Sequence, residues 1–183
     1  MGECKPAMNQ AIKKANDPSP SGAVDLQPPV PYIFSIGYEG KTMEEFIGIL
    51  KKAGVQLLID VRDAPFSRKP GFSKKPLEAS LQDAGIEYVG IPELGTDKSS
   101  RDAHKADPNI SPILEEYKIK FEKNIAIYQA LKKMARAKVS ALMCYEEDYR
   151  QCHRQVIEER MAADGFKIIH LGGDPQTALK IIE

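Results

Sequence analysis

The sequence predicts one α/β domain, an open and mostly parallel five-stranded sheet with helices on both faces. Three observations lead there. Strand-length apolar runs alternate with segments of helical period from Tyr32 to Leu171. One run, Val55–Val61, is almost continuously apolar, as a strand covered on both faces should be. Gly54, Gly85 and Gly165 each stand between a helical segment and the strand after it, where the residue just past a helix end belongs.

The elements follow in order. Residues 1–31 carry Pro18, Pro20, Pro28, Pro29 and Pro31 among Ser, Asn and Lys, with no sustained period. They are expected to form a disordered N-terminal tail, and residues 32–183 the single folded domain. Tyr32–Ile36 reads as a strand ending at Gly37. Thr42-Met43-Glu44-Glu45 has capping-box spacing, the Thr hydroxyl accepting from the third helical amide while Glu45 reaches back. The helix that follows puts Phe46, Ile49 and Leu50 on one face and stops at Gly54, and Val55–Val61 is the second strand. Beyond a polar loop over Arg62–Gly71, Ser73 is placed to cap a helix running to Gly85, with Pro76 tolerated in its first turn. Ile86–Ile91 is a third strand, and Glu93–Asn109 a long charged loop containing His104. Pro112 to about Ala137 reads as one long helix, with Leu114, Tyr117, Phe121, Tyr128 and Leu131 on its buried face. Val139–Cys144 is a fourth strand, and Asp148 with Gln151 offers a cap for a helix ending near Gly165. Phe166–Leu171 is a fifth strand, and a short final helix is expected from near Pro175. Strands joined through helices pair in parallel with right-handed crossovers, which gives Rossmann-like three-layer packing.

The chain has 183 residues, 42% of them hydrophobic, which is enough for one core. Lys plus Arg number 26 and Asp plus Glu 26, so no net field draws the chain to nucleic acid or an anionic membrane, and only a local basic patch would do so. The apolar runs are too short to span a bilayer, and the N-terminal lysines precede no signal-peptide core. Three cysteines, Cys4, Cys144 and Cys152, suit a reducing compartment better than a disulfide framework. A cytoplasmic protein without a membrane partner is expected. No feature of the composition sets an oligomeric state.

Open parallel sheets bind ligands beyond the carboxyl ends of their strands, where strand order reverses. The unusual polar residues gather at those ends. Gly37-Tyr38-Glu39-Gly40 follows the first strand, and Asp60-Val61-Arg62 closes the second, with Ser67-Arg68-Lys69 and Gly71-Phe72-Ser73 beyond it. Leu94-Gly95 follows the third strand. Cys144-Tyr145-Glu146-Glu147 closes the fourth, Cys152-His153-Arg154 opens the helix after it, and His170 lies near the end of the fifth.

These residue types suggest specific chemistry. Cys152 lies near a helix start among Arg150, His153 and Arg154, where free amides and positive charge favour a thiolate. As a nucleophile it would use His153 or Glu146 as proton carrier, with Asp60 a further acid–base candidate. The plainer reading is a buried structural cysteine. Arg62, Ser67, Arg68 and Arg154, together with Tyr38, suit an anionic substrate through guanidinium forks and hydroxyls. The plainer reading there is that Asp60 and Arg62 pair with Arg154 and Glu146 to hold the loops. The chain has no Gly-x-Gly-x-x-Gly and no Walker loop, which argues against nicotinamide and ATP sites of the standard kinds. Cys144, Cys152, His153 and His170 approach the same end of the sheet and form an alternative, zinc-binding set. Cys144 and Cys152 are eight positions apart (152 minus 144) with no Cys-x-x-Cys knuckle, so the spacing argues against a metal.

Gly37, Asp60-Val61-Arg62, Pro65, Ser67-Arg68, Phe72, Gly85-Ile86 with Tyr88, Leu94-Gly95, Met143-Cys144-Tyr145-Glu146, Cys152-His153-Arg154 and His170 occur in an order that resembles the domain-of-unknown-function family numbered 488. The resemblance runs from Ile33 to Leu171, although Tyr38 stands where members often carry His and Tyr145 where they often carry Ala. It implies a cytoplasmic α/β protein and assigns no activity. From the residues, the expected function is an enzyme acting on an anionic, nucleotide- or nucleic-acid-derived substrate through Cys152, His153, Glu146 and Asp60. The alternative is a non-catalytic module that binds a nucleotide or a nucleic-acid end in the same crevice. A third reading makes the cluster a purely structural polar network.

Overall fold

The computed structural model describes residues 30–106, 109, 111–172 and 180–181. Cys4 and the expected N-terminal tail lie outside them, apart from residues 30 and 31. Five parallel strands, β1 (Tyr32–Gly37), β2 (Leu57–Asp60), β3 (Glu87–Gly90), β4 (Ser140–Cys144) and β5 (Lys167–Leu171), form the sheet expected from the sequence. A sixth, β6 (Lys180–Ile181), pairs antiparallel with β5, and the order is β3-β2-β4-β1-β5-β6. The final helix expected near Pro175 begins outside the described residues. Its described part is strand instead, because the open edge of β5 offers main-chain partners and sets Ile181 opposite Ile169.

Helices α1 (Met43–Lys52) and α2 (Lys74–Asp83) cover one face. On the other lie α4 (Ser111–Lys123), α5 (Ile125–Ala137) and α6 (Arg154–Ala163). Right-handed crossovers explain the division: the chain moves one way along the sheet from β1 through β2 to β3, then returns to β4 and β5, and helices on opposite journeys fall on opposite faces. Two apolar cores result, one on each side. Phe34, Phe46, Leu50, Leu58 and Leu77 belong to the first, and Ile33, Ile59, Leu131, Leu142 and Ile157 to the second. Among the described residues no helix is long and apolar enough to cross a membrane.

Local signals account for the element ends. The capping box of α1 forms as expected, Glu45 N–H donating to Thr42 Oγ1 at 3.2 Å and Thr42 N–H to Glu45 Oε2 at 2.7 Å. Four expectations need correction. Ser73 stands at the N-cap of α2 but makes no side-chain cap bond, because its hydroxyl is engaged by the Ser67 main chain. Residues 112–137 are two helices rather than one, because Asn124 donates its side-chain amide to the Lys120 carbonyl (3.0 Å) and its main chain leaves helical geometry. The charged loop over 93–109 contains helix α3 (Lys98–Ala106), which carries His104. Asp148 caps a one-turn 3-10 helix at Tyr149–Gln151 by accepting from Arg150 N–H, and α6 begins only at Arg154.

β4 lies between β1 and β2, whose chains leave toward the first face while its own leaves toward the second. The strand order therefore reverses on both sides of β4. That makes its carboxyl end, at Cys144, the topological switch point where sheets of this kind place ligands.

Candidate active site

Alternation along the strands sorts the site residues between the two faces. Asp60 ends β2 with its side chain on the first face, and Cys144 ends β4 with its side chain on the second. The sequence-derived candidates thus form two clusters, one on each side of the sheet edge.

On the first face Asp60 is fully buried and holds Arg62 in a bidentate pair, Nε to Oδ1 at 2.9 Å and Nη2 to Oδ2 at 2.7 Å. Arg62 Nη1 donates to the Tyr38 hydroxyl (3.0 Å) and the Phe72 carbonyl (2.9 Å). Tyr88 donates its hydroxyl to Asp60 Oδ2 at 2.7 Å, and burial followed by the Asp60 charge raises its pKa well above the ordinary tyrosine value. Tyr38 stacks on Phe72 with centroids 4.5 Å apart. Asp60 and Arg62 therefore pair with each other, not with Arg154 and Glu146. The Ser73 hydroxyl accepts from Ser67 N–H (3.1 Å) and donates to the Ser67 carbonyl (3.0 Å), Lys69 donates to the Tyr38 carbonyl (2.8 Å), and Arg68 is exposed.

The second face carries the thiols. Cys144, Cys152 and His153 are all buried, and their sulfur and nitrogen ligand atoms lie within 4.8 Å of one another. His153 Nε2 is 3.0 Å from the Val61 carbonyl, which accepts only, so Nε2 carries the proton and Nδ1 faces the sulfurs, 3.8 Å from Cys152 Sγ and 4.0 Å from Cys144 Sγ. Arg154, 1% exposed, donates from Nε to Cys152 Sγ (3.4 Å), from Nη1 to Ser35 Oγ (3.0 Å) and from Nη2 to the Glu146 main-chain oxygen. The Glu146 carboxylate is 3.2 Å from Cys144 Sγ and makes no ion pair among the described residues.

The electrostatics are asymmetric. Burial opposes charge on Cys152, but the Cys144 thiol, His153 and Arg154 outweigh it and hold its pKa well below the ordinary thiol value. The bond to Cys152 and burial drive Cys144 the other way. Burial also works against charge on His153, yet the neighbouring Cys152 raises its pKa. Glu146 is pushed up to about 7 by burial and by the Cys152 charge.

His170 stands apart from the other three members of the expected zinc set. It donates from Nε2 to Glu158 Oε2 at 2.7 Å and stacks on Tyr149 with centroids 3.8 Å apart. Glu158, which no sequence motif marks, also accepts from Ser35 Oγ at 2.6 Å. One signal for it was legible: Arg154 and Glu158 are four apart on a helix face shared with Ile157 and Met161, where isolated charges do not belong. Tyr117 lies in the second core as its helical spacing predicts, and its ring also packs on His153, centroids 5.1 Å apart, with its hydroxyl donating to the Leu94 carbonyl (2.6 Å).

An open α/β sheet whose switch point holds a thiol–imidazole–carboxylate cluster defines the class of protein. Within it the chain belongs to the domain of unknown function DUF488, whose family model matches residues 42–161, a span that begins after β1 and ends before β5. No curated protein and no solved structure matches the chain.

Proposed function

We propose that this protein is an enzyme whose working centre is the cluster of Cys144, Glu146, Cys152 and His153 at the end of β4, acting on a small anionic substrate. One observation carries the reading. Arg154 reaches Glu146 but bonds its main-chain oxygen, so among the described residues the carboxylate beside the thiols has no ion-pair partner. A polar network built only for stability would be expected to neutralise that group. Glu146 is half-buried and borders exposed Tyr145, which suits a residue that carries protons between the cluster and a substrate at the rim. Arg62 and Arg154 are committed to partners within the protein, so exposed Arg68 is the better candidate for meeting an anion directly.

The test needs no prior substrate. A protein-free cell extract is incubated with the full-length chain or with Glu146→Gln, and its small molecules are compared by mass spectrometry. The parent chain should deplete at least one anionic compound, and the variant should do so about 10²–10⁴-fold more slowly while melting within a few degrees of the parent. Identical extracts would overturn the reading. Equal retention of one compound by both chains, without its consumption, would make the protein a binding module.

A further inference from the structure

We infer that Cys144 Sγ, Cys152 Sγ and His153 Nδ1 are three ligands of one soft divalent metal ion, of which zinc is the representative, with a fourth position left for water or substrate. The inference deepens the reading of this cluster as a working centre by naming its cofactor.

The ligand chemistry fits first. Two thiolates and an imidazole form a donor set that zinc accepts, and three protein ligands with an open position are the mark of its reactive sites. The separations fit next. Metal bonds of about 2.3 Å to sulfur and 2.0–2.1 Å to nitrogen place tetrahedral ligand atoms about 3.5–3.8 Å apart. Nδ1 lies 3.8 and 4.0 Å from the two sulfurs and all three ligand atoms lie within 4.8 Å of one another, so closure needs movements of no more than about 1 Å.

The groups behind the ligands are in place as well. A metal-bound histidine usually donates its second ring N–H to a carbonyl or carboxylate, which fixes the tautomer. His153 does so to Val61 O, a main-chain atom of the neighbouring β2 segment that side-chain changes cannot remove. Arg154 supplies an N–H bond to one sulfur, the usual support of a metal thiolate. Charge argues the same way. Two thiolates cancel the charge of a divalent ion, so the filled site is neutral where burial makes net charge costly. Burial of both cysteines, at 5% and 1% exposure, suits ligands better than thiols that must meet a substrate directly.

Glu146 then takes a defined role. The metal would supply Lewis-acid chemistry at the fourth position, and the Glu146 carboxylate, 3.2 Å from Cys144 Sγ, would take up or return a proton beside it.

The site is tested with metal alone on the full-length chain, purified reduced and without chelator. Elemental analysis should find one zinc per chain. Cobalt(II) added to metal-free protein should give thiolate charge-transfer absorption in the near ultraviolet with tetrahedral bands in the visible, both erased by zinc. Cys144→Ser and His153→Gln should weaken zinc affinity about 100-fold or more, while Cys4→Ser and Glu146→Gln keep full stoichiometry. Absence of the cobalt spectrum from folded, reduced protein would overturn the inference, as would its loss in Cys4→Ser or a Cys144–Cys152 disulfide that excludes metal. Zinc binding with unchanged turnover by Glu146→Gln would remove the enzyme reading and leave the metal site. Turnover that depends on Glu146 in a chain that binds no zinc would do the reverse.

Discussion

Gly37 and Gly95 let loops approach more closely than any side chain would permit. A Cβ on Gly37 would overlap the Glu146 carbonyl, and one on Gly95 would overlap the Asp63 main chain. The Glu146 carbonyl is also the group that Arg154 holds, so its position ties the β1 end to the thiol cluster. Gly37→Ala should therefore cost at least the upper end of the overpacking range, about 3 kcal/mol, in urea denaturation, and should also weaken zinc binding. Gly37 was legible as a strand end. Its role was not, because the atoms it makes room for lie more than a hundred positions along the chain (146 minus 37).

The pairing of α5 with α6 has its own pH dependence. Asp164, at the end of α6, accepts from Lys132 Nζ at 2.7 Å and from the Tyr128 hydroxyl at 2.6 Å, both on α5. The bond from Lys132, then that from Tyr128, holds its carboxyl below the usual aspartate range, with Lys132 and Arg160 adding favourable charge. A lowered folded-state pKa gives stability that is present above the unfolded-state value and is lost as pH falls through the folded one. Asp164→Asn should thus destabilise the protein at neutral pH, and the gap in urea midpoint between parent and variant should narrow toward pH 3 (about one unit below the ordinary aspartate value). Signals at element ends were readable when they were local, as Thr42 with Glu45 and Gly54 show. The break at Asn124 carried a readable signal too, an Asn within a helical period, but the apolar spacing of Leu114 to Leu131 ran across it unbroken.

At the scale of the molecule, the sheet separates two buried polar clusters that touch the same edge. Replacing Asp60 with Asn should leave the Arg62 guanidinium buried without its counter-charge and cost about 3–5 kcal/mol in denaturation. The same variant should keep one zinc per chain, since the thiols lie on the other face; loss of the metal would show the clusters to be one unit. From sequence alone came the alternation of strands and helices, the parallel sheet and the gathering of polar residues at strand ends, because periodicity and helix caps are local and the crossover rule is general. Only the tertiary structure decided that Asp60 pairs with Arg62 and that His170 leaves the thiols for Glu158. It also turned His153 Nδ1 toward both sulfurs, through a carbonyl 92 positions away, and such contacts depend on which face each strand presents to helices that pack long after it in the chain.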